Sequence, residues 1–145
     1  MEKLSPEEQQ KLQQIFNELQ NYEAMAGLLR QQMNLIANSL AELSMTVETI
    51  KTIKELKPET EILVPIGSDS FVTAKLATTD KVITGLGADV SAEQNVDGAK
   101  QMLEARIAEL GRVLEQARQE LDKIGKQIEE LRPEADRILT KTKEK

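Results

Sequence analysis

The chain has no cysteine, no histidine and no tryptophan, and only one tyrosine and two phenylalanines among 145 residues. Each absence excludes a chemistry. Without cysteine there is no disulfide, thiolate nucleophile or thiolate metal site, and the lack fits a reducing compartment. Without histidine there is no imidazole ligand or imidazole base. Compact cores draw much of their buried area from aromatic rings, so a chain that is 2% aromatic must bury Leu, Ile, Val and Met along seams instead. No clustered basic segment exists to release phosphate counterions, so a nucleic-acid partner is not expected. No apolar run approaches a membrane span, and Met1-Glu2-Lys3-Leu4-Ser5-Pro6 lacks the character of a signal peptide. A soluble, cytoplasmic protein without membrane association is the expectation.

What is present is periodicity. Leu12, Ile15, Leu19, Tyr22, Ala26, Leu29, Met33, Ile36, Leu40, Leu43, Val47 and Ile50 follow one another at alternating steps of three and four residues. That spacing keeps one apolar seam facing a partner helix, as in a coiled coil. Ser5-Pro6-Glu7-Glu8 is a helix start, with Ser5 as N-cap, Pro6 at the first helical position and Glu8 completing a capping box. Lys57-Pro58 should end the helix. Such a helix would be roughly 75 Å long at 1.5 Å per residue.

A second seam reads Val96, Ala99, Leu103, Ile107, Leu110, Leu114, Ala117, Leu121, Ile124, Ile128, Leu131, Ala135 and Ile138, with Asn95 as its expected N-cap. Ala99, Leu103 and Ile107 are spaced four and four, a stutter that locally unwinds a supercoil. Pro133 is expected to kink or interrupt this helix. The two helices are nearly equal in length, so the economical arrangement folds one back on the other as an antiparallel pair. The fold class expected is α+β dominated by helix, with β-hairpins at the end opposite the termini. One domain, 1–145, then comprises a first helix over 5–57, hairpins over 61–94 and a second helix over 95–142.

The middle segment changes period. Strands are expected at 61–66, 71–76, 81–86 and 88–93, with turns at Gly67-Ser68-Asp69-Ser70, Thr78-Thr79-Asp80 and Gly87. Pro65 cannot donate a ladder hydrogen bond and belongs at an edge or bulge. Four short strands cannot bury both faces alone, so they read as an assembly platform that closes a barrel with strands of other chains.

No catalytic motif is found. Gly85-Leu86-Gly87 is a lone G-x-G, and the third glycine of a dinucleotide fingerprint is replaced by Val90. The carboxylates are interspersed with Lys and Arg, as on a solvated face. The chain is not read as an enzyme and no cofactor or metal is expected. The basic tail, Lys141 to Lys145, reads as a solvated terminus. Several apolar residues instead lie off the first seam: Phe16, Met25, Leu28, Leu35, Met45 and Ile53. Leu139 lies off the second, and Leu4 precedes the first helix. Leu4, Leu12, Ile15, Phe16, Leu131, Ile138 and Leu139 all map near the free end of the helix pair, an apolar group suited to promiscuous contact.

Leu63-Val64-Pro65-Ile66-Gly67, Ser70-Phe71-Val72, the stretch from Val82 to Val90, and Leu131-Arg132-Pro133-Glu134-Ala135 give the chain a resemblance to the prefoldin family. Two hairpins rather than one resemble its archaeal α type. The resemblance implies a heterohexamer of two α and four β subunits, and hence as partners β subunits and a second copy of this chain. It also implies ATP-independent capture of non-native proteins at the coiled-coil tips and delivery to a group II chaperonin. Client contact would then fall to the seven residues at the free end. Assembly would fall to Ile62, Val64, Ile66, Phe71, Val72, Leu76, Val82, Ile83, Leu86 and Val90. Two other classes remain open: a filament-forming relative that assembles through the same hairpins, and a coiled-coil scaffold.

Overall fold

A computed structural model describes the backbone of residues 4–143 and the side chains of 4–141. The element order is α1 (Pro6–Glu55), β1 (Glu61–Gly67), β2 (Ser70–Lys75), β3 (Lys81–Gly87), β4 (Val90–Asn95) and α2 (Val96–Lys143). The two long helices flank two antiparallel two-stranded sheets, β1–β2 and β3–β4. The chain divides into two compact units, one of residues 1–37 and 112–145, the other of residues 38–111.

Helix α1 starts as its sequence dictates. The Glu8 backbone N–H donates to Ser5 Oγ at 3.2 Å, and the Ser5 N–H donates to Glu8 Oε2 at 3.1 Å. Two donors that lack an intrahelical partner are thereby satisfied. Its last turn tightens through Leu56 N–H donating to the Ile53 carbonyl, and Pro58 follows outside the helix.

In the unit formed by 1–37 and 112–145, the seam residues of both helices are buried or half-buried, with Ile15, Ala26, Ala117, Ile124 and Ala135 buried. Ion pairs Glu8–Lys141, Lys11–Glu134 and Glu23–Arg132 fix the two segments as antiparallel. The expected interruption at Pro133 does not occur, and α2 runs on to Lys143. Pro133 lies on the exposed side of the helix, so water can serve the carbonyl whose donor the ring removes. The basic tail beyond Lys141 lies outside the described side chains.

In the unit of residues 38–111, the core is a cluster of Val47, Ile50, Val96, Ala99 and Leu103, with Leu43, Val82 and Ile107 packed against it. This cluster coincides with the stutter. The four-four step turns Ala99 and Leu103, exposed 0% and 6%, onto a broader face than a strict heptad gives. That face has room for α1 and for Val82 of β3 together. Lys54 Nζ donates to Asp97 Oδ1 at 2.7 Å across the two helix ends.

The two hairpins are copies of one plan at a spacing of twenty residues. Pairs Glu61↔Lys75, Ile62↔Ala74, Leu63↔Thr73, Val64↔Val72, Pro65↔Phe71 and Gly67↔Ser70 recur as Lys81↔Asn95, Val82↔Gln94, Ile83↔Glu93, Thr84↔Ala92, Gly85↔Ser91 and Gly87↔Val90. Each register shifts at the same point, which leaves Ile66 and Leu86 as bulge residues. Pro65 thus sits beside a bulge, as its missing donor requires. Each turn has two left-handed residues, Ser68 and Asp69 at φ 48° and 57°, and Ala88 and Asp89 at 50° and 61°. These are two-residue hairpin loops of the type I′ kind, whose twist matches the strands. Gly67 and Gly87 precede them at φ 111° and 96°, a region that favours glycine. The exits correspond too: Leu76 N–H donates to the Thr60 carbonyl, and Val96 N–H to the Asp80 carbonyl.

The fourth strand therefore starts at Val90 rather than Ala88, because Ala88 and Asp89 form the turn expected at Gly87. Asn95 ends β4 and immediately precedes α2, so strand passes to helix without a loop.

Candidate functional site

Cross-strand partners share a sheet face, which sorts the hairpin side chains. In the first hairpin, Ile62, Val64, Val72 and Ala74 lie on one face and Leu63, Pro65, Phe71 and Thr73 on the other. In the second, Val82, Thr84, Ala92 and Gln94 lie on one face and Ile83, Gly85, Ser91 and Glu93 on the other. The second hairpin's first face turns inward: all four of its residues are half-buried. Val82 packs on the core cluster, and Gln94 Nε2 approaches Met102 Sδ at 3.9 Å. Arg106 Nη2 donates to the Gly85 carbonyl at 3.3 Å and ties β3 to α2.

Seven of the ten residues expected in assembly are exposed: Val64, Ile66, Phe71, Val72, Ile83, Leu86 and Val90. Ile62 and Leu76 are half-buried, and Val82 belongs to the chain's own core. Leu63, not among the ten, is 66% exposed and sits diagonally across from Phe71 on the outer face. Strict alternation along β1 would put a single apolar face at Ile62, Val64 and Ile66. The run Ile62-Leu63-Val64, apolar on consecutive residues, is the signal that both faces carry apolar side chains.

Of the seven residues expected at the helix ends, all fall in the unit that holds both termini. Phe16 and Leu139 are exposed, while Leu4, Leu12, Leu131 and Ile138 are half-buried. Ile15 is 4% exposed and is a core residue of this unit, since its seam position faces α2. It has no surface to offer while the helices stay paired. Around this apolar group lie the ion pairs Lys11–Glu134 at 3.0 Å and Glu8–Lys141 at 3.7 Å.

Among the described residues, no group of three or more acidic side chains is placed to hold a metal ion, and no helix is long and apolar enough to cross a membrane. The carboxyls of Asp80 and Asp97 are both held below their ordinary values. The Thr78 hydroxyl, hydrogen-bonded to the Asp80 carboxylate, lowers the first below its ordinary value. The Lys54 ammonium lowers the second. Both brace connections between elements.

Comparison with known proteins gives a consistent result. A family model described as prefoldin subunit matches residues 22–141. The prefoldin subunit alpha of Methanopyrus kandleri is 35% identical over 113 residues, covering 78% of this chain and 72% of that protein. The prefoldin subunit alpha of Methanobrevibacter smithii is 30% identical over 118 residues, covering 81% of this chain and 80% of that protein. Among solved structures, filamentous PFD from Methanocaldococcus jannaschii superposes with a TM-score of 0.72 at 28% identity, covering 81% of this chain and 98% of that one. The prefoldin beta subunit of a Thermococcus strain shares the fold, with a TM-score of 0.58 at 16% identity.

Proposed function

This chain belongs to the prefoldin family, and from that premise we propose that it is the α-type subunit of an ATP-independent cytoplasmic chaperone. Two copies join four β-type subunits through the hairpins. The apolar residues at the helix ends, with Phe16 and Leu139 foremost, hold non-native proteins for transfer to a group II chaperonin. Non-native chains expose apolar surface, and several weak apolar sites carried by one assembly gain avidity through effective concentration.

The observation that carries the assembly half is the state of the hairpins. A two-stranded sheet is marginal by itself in water. Here two of them expose Leu63, Ile66, Phe71, Ile83 and Val90 by 54–77%. Free edges and apolar faces of this kind are stabilised by pairing with strands of other chains.

The test is the native mass of the complex formed with a β-type subunit, for the natural chain and for Phe71→Ser/Ile83→Ser. A closed hexamer that the double substitution disperses supports the proposal; a hexamer indifferent to it sinks the hairpin assignment. A chain lacking residues 1–16 and 131–145 should still assemble but no longer suppress aggregation of a denatured client. Undiminished suppression would remove the helix ends from the mechanism.

A second reading, a homopolymer built through the same hairpins, is favoured by the likeness to filamentous PFD. The same mass measurement, made without a β-type subunit, separates the two: long polymers support the filament and small species the closed complex.

A further inference from the structure

A second apolar strip lies on α1 between residues 25 and 35, separate from the residues named at the helix ends. Met25, Leu28 and Leu35 are exposed by 44%, 66% and 68%. They belong to one unit of the fold, and their spacing places them along one flank of the helix beside the seam. The sequence around them is unusual for a solvated helix. From Ala24 to Ala37 the only charged residue is Arg30, and the other polar positions are the uncharged Gln31, Gln32 and Asn34. The α2 segment of the same unit differs, with a charged residue at nearly every second or third position from Arg112 to Arg132. A solvated helix flank normally carries charge; this one does not.

What could cover the strip is constrained by its length. A helical partner needs an apolar seam sustained over three or more heptads. Here the flank positions read Glu18, Asn21, Met25, Leu28, Gln32, Leu35, Ser39 and Glu42. The seam is broken by Gln32 and closed by polar residues on both sides. The apolar area offered is on the order of 300 Å², well below the roughly 800 Å² per partner of a stable interface between folded proteins. A folded partner or second copy therefore gains too little. An extended apolar segment needs neither register nor a large contact. The flexible thioether of Met25 and the absence of fixed charge let such a segment bind in many alignments.

We infer that the Met25–Leu28–Leu35 strip is a lateral docking site for extended apolar segments of non-native polypeptides, additional to the helix ends. The inference rests on the chaperone reading above and deepens it. It gives the chain a second contact point on the same polypeptide, and two linked weak contacts hold far longer than either alone.

The test uses the complete complex with β-type subunits. Because the chain has no cysteine, Leu28→Cys, Leu35→Cys and, as a reference on α2, Glu120→Cys each accept one benzophenone. The probe is reduced, carboxymethylated α-lactalbumin, which stays unfolded and soluble. Crosslinks to the probe at positions 28 and 35, well above those at 120, are expected. Crosslinks at the level of 120, or to another subunit, overturn the inference. Met25→Gln/Leu28→Gln/Leu35→Gln supplies a second readout. It should leave the native mass and helicity unchanged and raise the amount of complex needed to keep denatured citrate synthase from aggregating by about fivefold. Protection equal to the natural complex overturns the strip and leaves the helix-end proposal standing. If the natural complex gives no protection, the chaperone reading fails, and the crosslinks still decide the strip.

Discussion

Lys54 Nζ and Asp97 Oδ1 meet at 2.7 Å, joining the last turn of α1 to the first turn of α2. Each residue also suits its own helix, since a cation is favoured at a C-terminus and an anion at an N-terminus. Both side chains are largely exposed, so the pair fixes the geometry of the helix ends more than it adds stability.

Its first consequence is a pH dependence. Lys54 holds the Asp97 carboxyl below its ordinary value. A carboxyl lowered on folding contributes stability above the ordinary carboxylate range, and that contribution is lost as pH falls through the lowered value. Lys54→Ala should raise the Asp97 carboxyl toward its ordinary value, because the Lys54 hydrogen bond and charge are the largest lowering causes. Carboxyl NMR titration of both proteins checks this; superimposable Asp97 curves would show that the ion pair has no hold in solution.

Ile50, 5% exposed in the cluster with Val47, Val96, Ala99 and Leu103, carries the packing of the hairpin-bearing unit. Ile50→Ala should cost about 2–4 kcal/mol in urea unfolding, through lost burial and the cavity left behind. Leu35→Ala, at an exposed site, should stay within about 0.5 kcal/mol. Equal losses at the two positions would contradict the placement of the core.

Ala88 takes φ 50° in the second hairpin turn, where its Cβ crowds the backbone. Ala88→Asn should raise stability by about 0.5–1 kcal/mol, because asparagine adopts this conformation readily. Ser68→Asn, the equivalent change in the first hairpin, should act in the same direction. Thermal melts of the two variants decide the matter, and a lowered melting temperature in both would refute the turn assignment.

Gln94 lies on the inward face of β4 opposite Val82, and its Oε1 is buried without a hydrogen-bond partner among the described residues. An unpaired buried acceptor costs more than an apolar group of similar shape. Gln94→Leu should therefore stabilise the chain by about 1 kcal/mol. Destabilisation of that size in equilibrium unfolding would mean that the amide has a partner in solution.

The seams were legible because a three-four step is a strong constraint. Each position from Leu12 to Ile50 and from Val96 to Ile138 that the repeat selects is buried or half-buried. Capping at Ser5 and Glu8 was equally plain, since both partners are local. The hairpins were legible in number but not in register. Gly87 looked like the turn, whereas the turn falls on Ala88 and Asp89, of which Ala88 has no preference for the left-handed region. Their conformation is set by the bulge at Leu86 and the pairing of Gly87 with Val90, both of which lie outside local propensity. The interior position of Val82 was hidden for a related reason. Alternation identifies an apolar face but not what that face meets, and here it meets the face widened by the stutter at Ala99 and Leu103. Pro133 is the opposite case: the interruption that its ring suggests does not occur, and α2 continues through it.

The correspondence of Thr60 with Asp80, each offering its carbonyl to the residue that follows a hairpin, makes the connector modular. A chain shortened by residues 61–80 would join Thr60 directly to Lys81. It would keep every pair of the remaining ladder and enter α2 at the same residue. The number of hairpins is thus a quantity that can change in steps of twenty residues without altering the route into α2. A one-hairpin and a two-hairpin chain differ in how many unpaired strand edges they carry, while the Val47–Leu103 core stays the same.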